Sequence, residues 1–138
     1  RAGKLLDEML FAIGFNRGQV FIANILKCRP PNNRDPRPEE VKSCAEYLQQ
    51  QVDIIKPSII LAVGRIAAQN LLNSTENIGR LRGKQFEYKN SGIPIIVTYH
   101  PAYLLRSPKE KRKSWQDLLL AKSVLANSTS TKAVALDK

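Results

Sequence analysis

Cysteine, histidine and long apolar segments are scarce or missing in this sequence of 138 residues. It contains two cysteines, Cys28 and Cys44, and two thiols in a cytosolic chain rarely form a structural disulfide. By default such thiols are buried small hydrophobic side chains. No apolar run has the length needed to span a bilayer, and no long apolar stretch follows a basic start as in a secretory signal. We therefore expect a cytoplasmic protein.

Acidic residues are also few relative to basic ones. The chain has 12 Asp and Glu against 22 Lys and Arg, which gives a formal net charge of +10. Lys and Arg on a surface displace counterions from phosphates, so a polyanionic partner such as nucleic acid is one interpretation. A basic soluble protein without such a partner is the other, and the charge alone leaves both open.

Helical and strand patterns alternate along the chain. Apolar residues recur at helical spacing in 2–13 and 38–56, whereas the short apolar runs at 20–26 and 58–63 are typical of buried parallel strands. This alternation predicts an α/β fold with three α/β/α layers and a central, mostly parallel four-stranded sheet. The predicted elements are helices at 2–13, 38–56, 65–72 and 108 to about 125, strands at 20–26, 58–63, 85–88 and 93–98, and loops at 27–38, 73–84 and 99–106.

One domain is expected, because 43% of the residues are hydrophobic and the length suits a single core. We place this domain at residues 1–125 and a polar, flexible tail at 126–138. The segment Ser107-Pro108-Lys109-Glu110 has the pattern of a capping box at the start of the last helix. The chain begins directly in its first helix, which suggests that a preceding segment is missing.

Three features fall at the carboxyl ends of predicted strands, where α/β sheets bind ligands. His100, the only histidine, could donate a hydrogen bond to an oxygen that gains charge, or could simply be a loop residue. Asn24 carries an amide that could match a pyrimidine edge, although a structural amide is the favoured interpretation of that residue alone. Gly64 turns directly from a strand into a helix.

Other residues have two interpretations each. Cys28 and Cys44 could be metal ligands, but a cubane cluster needs four ligands, so core or free thiols are favoured on their own. Leu104 and Leu105 could form a wedge between stacked bases or could pack on the last helix. The cations that begin the last helix could meet phosphates or form a solvated face, which is the commoner case; they are Lys109, Lys111, Arg112 and Lys113.

Several stretches together resemble the iron–sulfur uracil-DNA glycosylases, often called family four. The resemblance covers about residues 1 to 125, and the combination is specific although no single piece would suffice. The stretches are Asn24-Ile25-Leu26-Lys27-Cys28-Arg29-Pro30-Pro31-Asn32-Asn33-Arg34-Asp35-Pro36, Pro38-Glu39-Glu40-Val41 to Cys44, Leu61-Ala62-Val63-Gly64, Leu81-Arg82-Gly83, and His100-Pro101-Ala102-Tyr103-Leu104-Leu105-Arg106.

The resemblance implies a role for each candidate residue in removing uracil from DNA. Asn24 would read the uracil edge, and His100 would hydrogen-bond a uracil oxygen and stabilise the departing anion. Cys28 and Cys44 would be two of four ligands to a [4Fe–4S] cluster. The implied partner is uracil-containing DNA bound by a monomer, and no protein partner is identified. The DNA contacts would come from Asn33, Arg34, Leu104, Leu105 and Arg106.

The sequence departs from the family pattern in several places. A Cys-x-x-Cys pair, a Gly-Glu-x-Pro-Gly motif and a Pro-Phe-Val-Gly segment begin that family and are absent here, and Asn32 stands where glycine is common. The water-positioning residue, the aromatic that stacks on uracil and two cluster ligands are thus expected in a missing N-terminal segment. With His100 as its only histidine, the chain does not resemble the branch that bonds covalently to uracil. The alternative function is a catalytically incomplete DNA-binding fragment of the same fold.

Overall fold

A computed structural model describes residues 2–12, 14, 20–24, 37–72, 74–89, 91–125 and 133–137. The helices are α1 (Ala2–Ala12), α2 (Pro38–Ile55), α3 (Arg65–Leu72), α4 (Ile78–Leu81), α5 (Pro101–Arg106) and α6 (Lys111–Leu125), with a 3₁₀ turn at Pro108–Glu110. The strands are β1 (Val20–Asn24), β2 (Ile59–Val63), β3 (Gln85–Glu87), β4 (Pro94–Thr98) and β5 (Ala133–Asp137).

The strands form one sheet in the order β1-β5-β2-β4-β3. β1 pairs with β5, β5 with β2 and β2 with β4 in parallel, and β3 joins β4 antiparallel at the edge. β2 is buried at all five positions, as expected for an apolar strand covered on both faces. The predicted α/β class with a mostly parallel sheet is therefore confirmed.

Alternate residues of β2 face two separate cores, because side chains along a strand point to opposite faces. Ile59, Leu61 and Val63 pack with residues of α1, α5 and α6. Ile60 and Ala62 pack with residues of α2, α3 and α4. The sheet thus lies between two helical layers, and this confirms the predicted three-layer arrangement.

The sheet has five strands rather than the predicted four, because residues 133–137 form β5 instead of a flexible tail. β5 lies between β1 and β2, where a strand is paired along both sides. Its sequence begins Ala-Val-Ala-Leu, an apolar run that suits such a position. The polar, small residues that precede this run are typical of a tail and conceal the short strand that follows them.

Two predicted loops contain short helices. α4 lies within 73–84, where the Asn77 side chain accepts a hydrogen bond from the Arg80 backbone and caps the helix. α5 lies within 99–106 and begins directly after His100. The predicted capping box is wrong, because the Ser107 side chain makes no capping hydrogen bond, and the Glu110 carboxylate lies 3.0 Å from the Lys113 ammonium instead.

No helix in the described ranges is long and apolar enough to cross a membrane.

Candidate functional site

The carboxyl ends of the parallel strands form one edge of the sheet. The register aligns Asn24 with Asp137, Asp137 with Val63, and Val63 with Thr98. Neighbouring strands lie about 4.8 Å apart, so the backbones of Asn24 and Thr98 are roughly 14 Å apart along this edge. Asn24 and the loop that carries His100 therefore lie at the same edge of the sheet, although only the backbone of Asn24 is described.

Gly64 brings the ends of β2 and β4 together. Its N–H donates a 2.9 Å hydrogen bond to the Thr98 carbonyl, and its φ of 99° lies in the region that favours glycine. A Cβ atom at this position would lie 3.1 Å from the His100 Cβ. The turn after β2 therefore lies close against the histidine, and its positive φ and this tight approach both favour glycine at position 64.

His100 caps the N-terminus of α5. Its backbone is extended, with φ −69° and ψ 139°, and Pro101 follows at the first helical position. The Ala102 N–H donates a 3.0 Å hydrogen bond to His100 Nδ1. A ring nitrogen that accepts a hydrogen bond carries no proton, so a neutral imidazole in this position has its proton on Nε2. This geometry makes Nε2 a hydrogen-bond donor.

A cavity of about 470 Å³ adjoins His100. Exposed arginines from two helices contribute to it: Arg65 begins α3 and donates to the Gln69 side chain at 3.1 Å, and Arg106 ends α5. Cations beside a hydrogen-bond donor suit an anionic or electron-rich ligand. The lining consists of Gly64, Arg65, Asn77, Ile78, Gly79, Tyr99, His100, Ala102, Tyr103 and Arg106.

The predicted DNA-contact residues after His100 differ in exposure. Leu104 is 1% exposed and packs in the core with α1 and α6, which is the packing alternative for that residue. Leu105 is half-buried and Arg106 is exposed, so the prediction of DNA contact continues to apply to these two. Asn33 and Arg34 lie outside the described residues.

The basic residues near the start of α6 are all exposed. Exposure agrees with both interpretations of these residues, a contact with phosphates and a solvated face. Lys113 is 3.0 Å from the Glu110 carboxylate, and this hydrogen bond raises the pKa of Lys113. Its charge is therefore partly matched within the protein.

The predicted cluster ligands are only partly within the described chain. Cys44 lies in α2, of which the backbone is described at that position, and Cys28 lies outside the described residues. Among the described residues, no group of three or more His, Cys, Asp or Glu side chains could hold a metal ion. Those residues do not by themselves fit an iron–sulfur cluster, which needs four ligands.

Among the polar and aromatic residues that line the cavity, the sequence analysis did not identify Arg65, Asn77, Tyr99 and Tyr103 as site residues. Arg65 directly follows Gly64 at a strand end, so the strand-end rule could have found it. Asn77 is brought in by α4, a single helical turn too short for a periodic pattern to show. The tyrosine rings lie 4.9 Å apart between centroids, a contact that depends on the turn into α5.

The sequence of residues 1–119 matches the family model of the uracil DNA glycosylase superfamily. The type-4 uracil-DNA glycosylase of Archaeoglobus fulgidus is 46% identical over 122 residues, covering 84% of this chain and 61% of the relative. That of Pyrobaculum aerophilum is 43% identical over 125 residues, covering 86% and 64%. That of Saccharolobus solfataricus is 40% identical over 143 residues, covering 99% and 64%.

The chain therefore spans less than two thirds of the length of these relatives. The resemblance found in the sequence is confirmed, because these relatives are type-4 glycosylases and the family match extends over most of the chain. With a three-layer α/β fold and a histidine-lined cavity at its strand ends, the chain belongs to the uracil DNA glycosylase superfamily.

Proposed function

We propose that the protein hydrolyses the bond between uracil and deoxyribose in DNA, as part of base-excision repair. The observation that carries this proposal is His100 at the wall of the cavity, with its Nδ1 occupied by the Ala102 N–H. A base inside a duplex is out of reach of such a cavity, so the target nucleotide must be flipped out of the stack.

His100 would stabilise the leaving uracil. As the glycosidic bond breaks, the base gains negative charge and the sugar gains positive character. A donor aimed at the developing charge lowers the barrier, and the Nε2–H of His100 would serve as this donor. Because its orientation is fixed by α5 before substrate arrives, little reorganisation is needed in the transition state. Activation of the attacking water is not assigned to any residue of this chain.

Asn24 would select the base. Its amide can pair with the N–H and C=O that uracil presents side by side. Cytosine reverses this pattern, which would leave buried polar groups unpaired and so disfavour its binding. The position of Asn24 at the same sheet edge as the His100 loop supports this assignment.

DNA would be held by exposed cations around the cavity. Arg65 and Arg106, which are exposed and line the cavity, would contact phosphates, and Leu105 would contact the minor groove. Asn33 and Arg34 are proposed DNA contacts on the resemblance alone. The monomeric state and the cytoplasmic location expected from the sequence stay predictions.

We also propose Cys28 and Cys44 as two of the four ligands of a [4Fe–4S] cluster. These are the two cysteines of the chain, so the other two ligands would have to come from a further segment of the complete protein. Such a cluster would tie the loop after β1 to α2, a structural role that requires no step of the reaction to pass through it. Iron and sulfide analysis of the complete protein, together with Cys44→Ser, tests this: the variant should lose iron, and unchanged iron content would reject Cys44 as a ligand.

The test of function is uracil release by the complete protein from single- and double-stranded DNA, comparing wild type, His100→Ala and His100→Asn. Removing one donor to a developing anion typically lowers turnover about 100- to 1,000-fold. Asparagine is a good N-cap, so His100→Asn should keep the stability of α5 while losing turnover. Both variants should bind DNA nearly as well as wild type.

A protein that binds uracil-containing DNA without releasing the base would favour the alternative, a DNA-binding protein without catalysis. If turnover and DNA binding fell equally in His100→Asn, the role given to the imidazole would be wrong. The variant Lys56→Gln serves as control, because Lys56 is exposed before β2, at the opposite edge of the sheet, and should behave as wild type.

A further inference from the structure

A buried ion pair joins the segment after α4 to the last helix. Arg82 Nε donates to Asp117 Oδ2 at 3.1 Å, and Arg82 Nη2 lies 3.1 Å from Asp117 Oδ1. The same Nη2 donates to the Lys113 carbonyl at 3.1 Å and approaches the Gln116 Oε1 at 3.4 Å. The Asp117 side chain is 0% exposed and that of Arg82 is 16% exposed. The guanidinium is therefore fixed in orientation by contacts along one face of α6.

This guanidinium lies over the ring of Tyr99, with Cζ 5.9 Å from the ring centroid. At that distance a cation is attracted by the face of an aromatic ring. Tyr99 is 8% exposed, and its ring contacts that of Tyr103 in α5 at a centroid distance of 4.9 Å with a tilt of 32°. Because Tyr99 directly precedes His100, the ion pair is connected through one aromatic ring to the histidine.

A second tether to α6 holds Thr98, the residue before Tyr99. Thr98 Oγ1 donates to Ser114 Oγ at 3.0 Å, and both side chains are buried. The two residues that lead into His100 are thus both held against α6, while Gly64 closes in on the His100 Cβ. A shift of either tether would move the imidazole relative to the cavity.

Stability alone explains the ion pair poorly. Burial raises the pKa of the Asp117 carboxyl, against the opposing effect of the Arg82 guanidinium. A buried charge pair often stabilises a fold no more than apolar side chains of the same volume would. Its value lies more in fixing a geometry, because the guanidinium donates through Nε to Asp117 and through Nη2 to the Lys113 carbonyl, and the two hydrogen bonds together restrict its orientation.

We propose that Arg82 and Asp117 are positioning residues for uracil release, which hold Tyr99 and through it the His100 imidazole at the cavity wall. Neither residue touches the substrate in this arrangement. The inference rests on the proposed function, but the orientation of His100 can be observed without any turnover.

The single histidine of these 138 residues makes that orientation directly measurable. Ring ¹⁵N NMR of the complete protein distinguishes an Nε2–H tautomer with an accepting Nδ1 from a mixture of tautomers. The signal that disappears in His100→Asn identifies His100 among any further histidines of the complete protein. We expect the pure Nε2–H signature in wild type and a mixture of tautomers in Arg82→Met and Asp117→Asn.

Kinetics give the second readout. In Arg82→Met, single-turnover uracil release should fall about tenfold or more while KM changes little, because misplacing a catalytic group by a fraction of an ångström slows chemistry rather than binding. Arg82→Lys should be intermediate, since a single ammonium cannot reproduce the separate hydrogen bonds of Nε to Asp117 and Nη2 to the Lys113 carbonyl. The matched control is Arg80→Met, an exposed arginine two residues away on α4, which should match wild type.

The link through the ring is tested at Tyr99. Tyr99→Phe keeps the ring face that contacts the guanidinium and should therefore retain the His100 tautomer, whereas Tyr99→Leu should lose it. If thermal unfolding shows that Arg82→Met does not fold, the two Tyr99 variants test the proposal in its place. All assays are run well below the unfolding midpoints.

The outcomes are separable. If folded Arg82→Met keeps the wild-type tautomer and turnover, or if Tyr99→Leu does, the positioning role is overturned. If wild type releases no uracil but the tautomer changes as expected, the proposed function fails while the ion pair is still shown to orient His100. Changes of both tautomer and turnover in Arg82→Met, with Arg80→Met unaffected and the tautomer of Tyr99→Phe unchanged, support the proposal.

Discussion

At the scale of single residues, the contact between Gly64 and His100 sets the shape of the site. The glycine has a positive φ and sits where a Cβ atom would press on the histidine. The sequence pointed to both residues because each follows a predicted strand. It could not show that they touch, because their contact depends on the pairing of β2 with β4 and on the Gly64 hydrogen bond to Thr98.

We predict that Gly64→Ala lowers uracil release as well as stability. A non-glycine residue at this φ costs about 1–3 kcal/mol of unfolding free energy, and the new methyl group would displace His100. Gly92→Ala is the matched control, because Gly92 has φ 80° and nothing within 4 Å of the position that a Cβ would take. Chemical denaturation should show similar losses for the two variants, and a drop in turnover only for Gly64→Ala. Equal turnover would mean that the close approach has no role in the site.

At the scale of elements, the sequence did not predict the short helices α4 and α5 or the C-terminal strand β5. α2, α3 and the strands β2 and β4 follow long or strongly apolar patterns and were predicted within a few residues. α4 and α5 have four and six residues, which is too short for helical periodicity to be distinguished from a loop. α5 nevertheless matters most for the site, because its N-terminus orients the His100 ring.

The central position of β5 leads to a stability prediction. Ala135 aligns with Ile22 on one side and Leu61 on the other. Proline there removes a backbone donor from the middle of the sheet and leaves a carbonyl without its partner, so Ala135→Pro should lower the unfolding free energy by about 1–3 kcal/mol. The measurement is urea denaturation, with Ala135→Val as a control that keeps the donor and suits a strand. Wild-type stability in the proline variant would show that β5 does not contribute to the sheet in solution.

The buried carboxyl on α6 leads to a pH prediction. Burial raises the pKa of Asp117, so the folded state holds this proton more tightly than the unfolded state does. By linkage, the contribution of Asp117 to stability declines as pH rises from the unfolded pKa of about 3.9 through the raised folded value. The unfolding free energy of wild type minus that of Asp117→Asn should therefore decrease with pH over this interval. An increase would mean that the guanidinium outweighs burial.

At the scale of the whole molecule, the net positive charge could be counted and the three-layer arrangement of helices and sheet could be predicted from the sequence. The two cores follow from apolar faces that alternate along β2, and this pattern requires helices on both sides of the sheet. The net charge of +10 suggested a polyanion, but not where it would bind. The location of the arginines around the cavity depends on packing between elements far apart in sequence.

We predict a steep salt dependence of DNA binding. Each phosphate contact contributes about −0.9 to the slope of log affinity against log salt concentration on duplex DNA. Arg65→Ala and Arg106→Ala should each reduce the magnitude of this slope by about one, measured by fluorescence anisotropy over a salt series. Lys56→Gln, at the opposite edge of the sheet, should leave the slope unchanged. If the two arginine variants also leave it unchanged, neither residue contacts the DNA backbone.

The hydrogen bond from Ala102 to His100 has a consequence for how the chemistry must be divided. The Nδ1 lone pair of His100 already accepts the Ala102 hydrogen bond, so the imidazole can donate a hydrogen bond to a departing base. It cannot accept a proton from water at Nδ1 without losing the hydrogen bond that caps α5. Under the proposed function, leaving-group stabilisation and nucleophile activation would then belong to separate groups. A substitution that abolishes one of these tasks should leave the other measurable on its own.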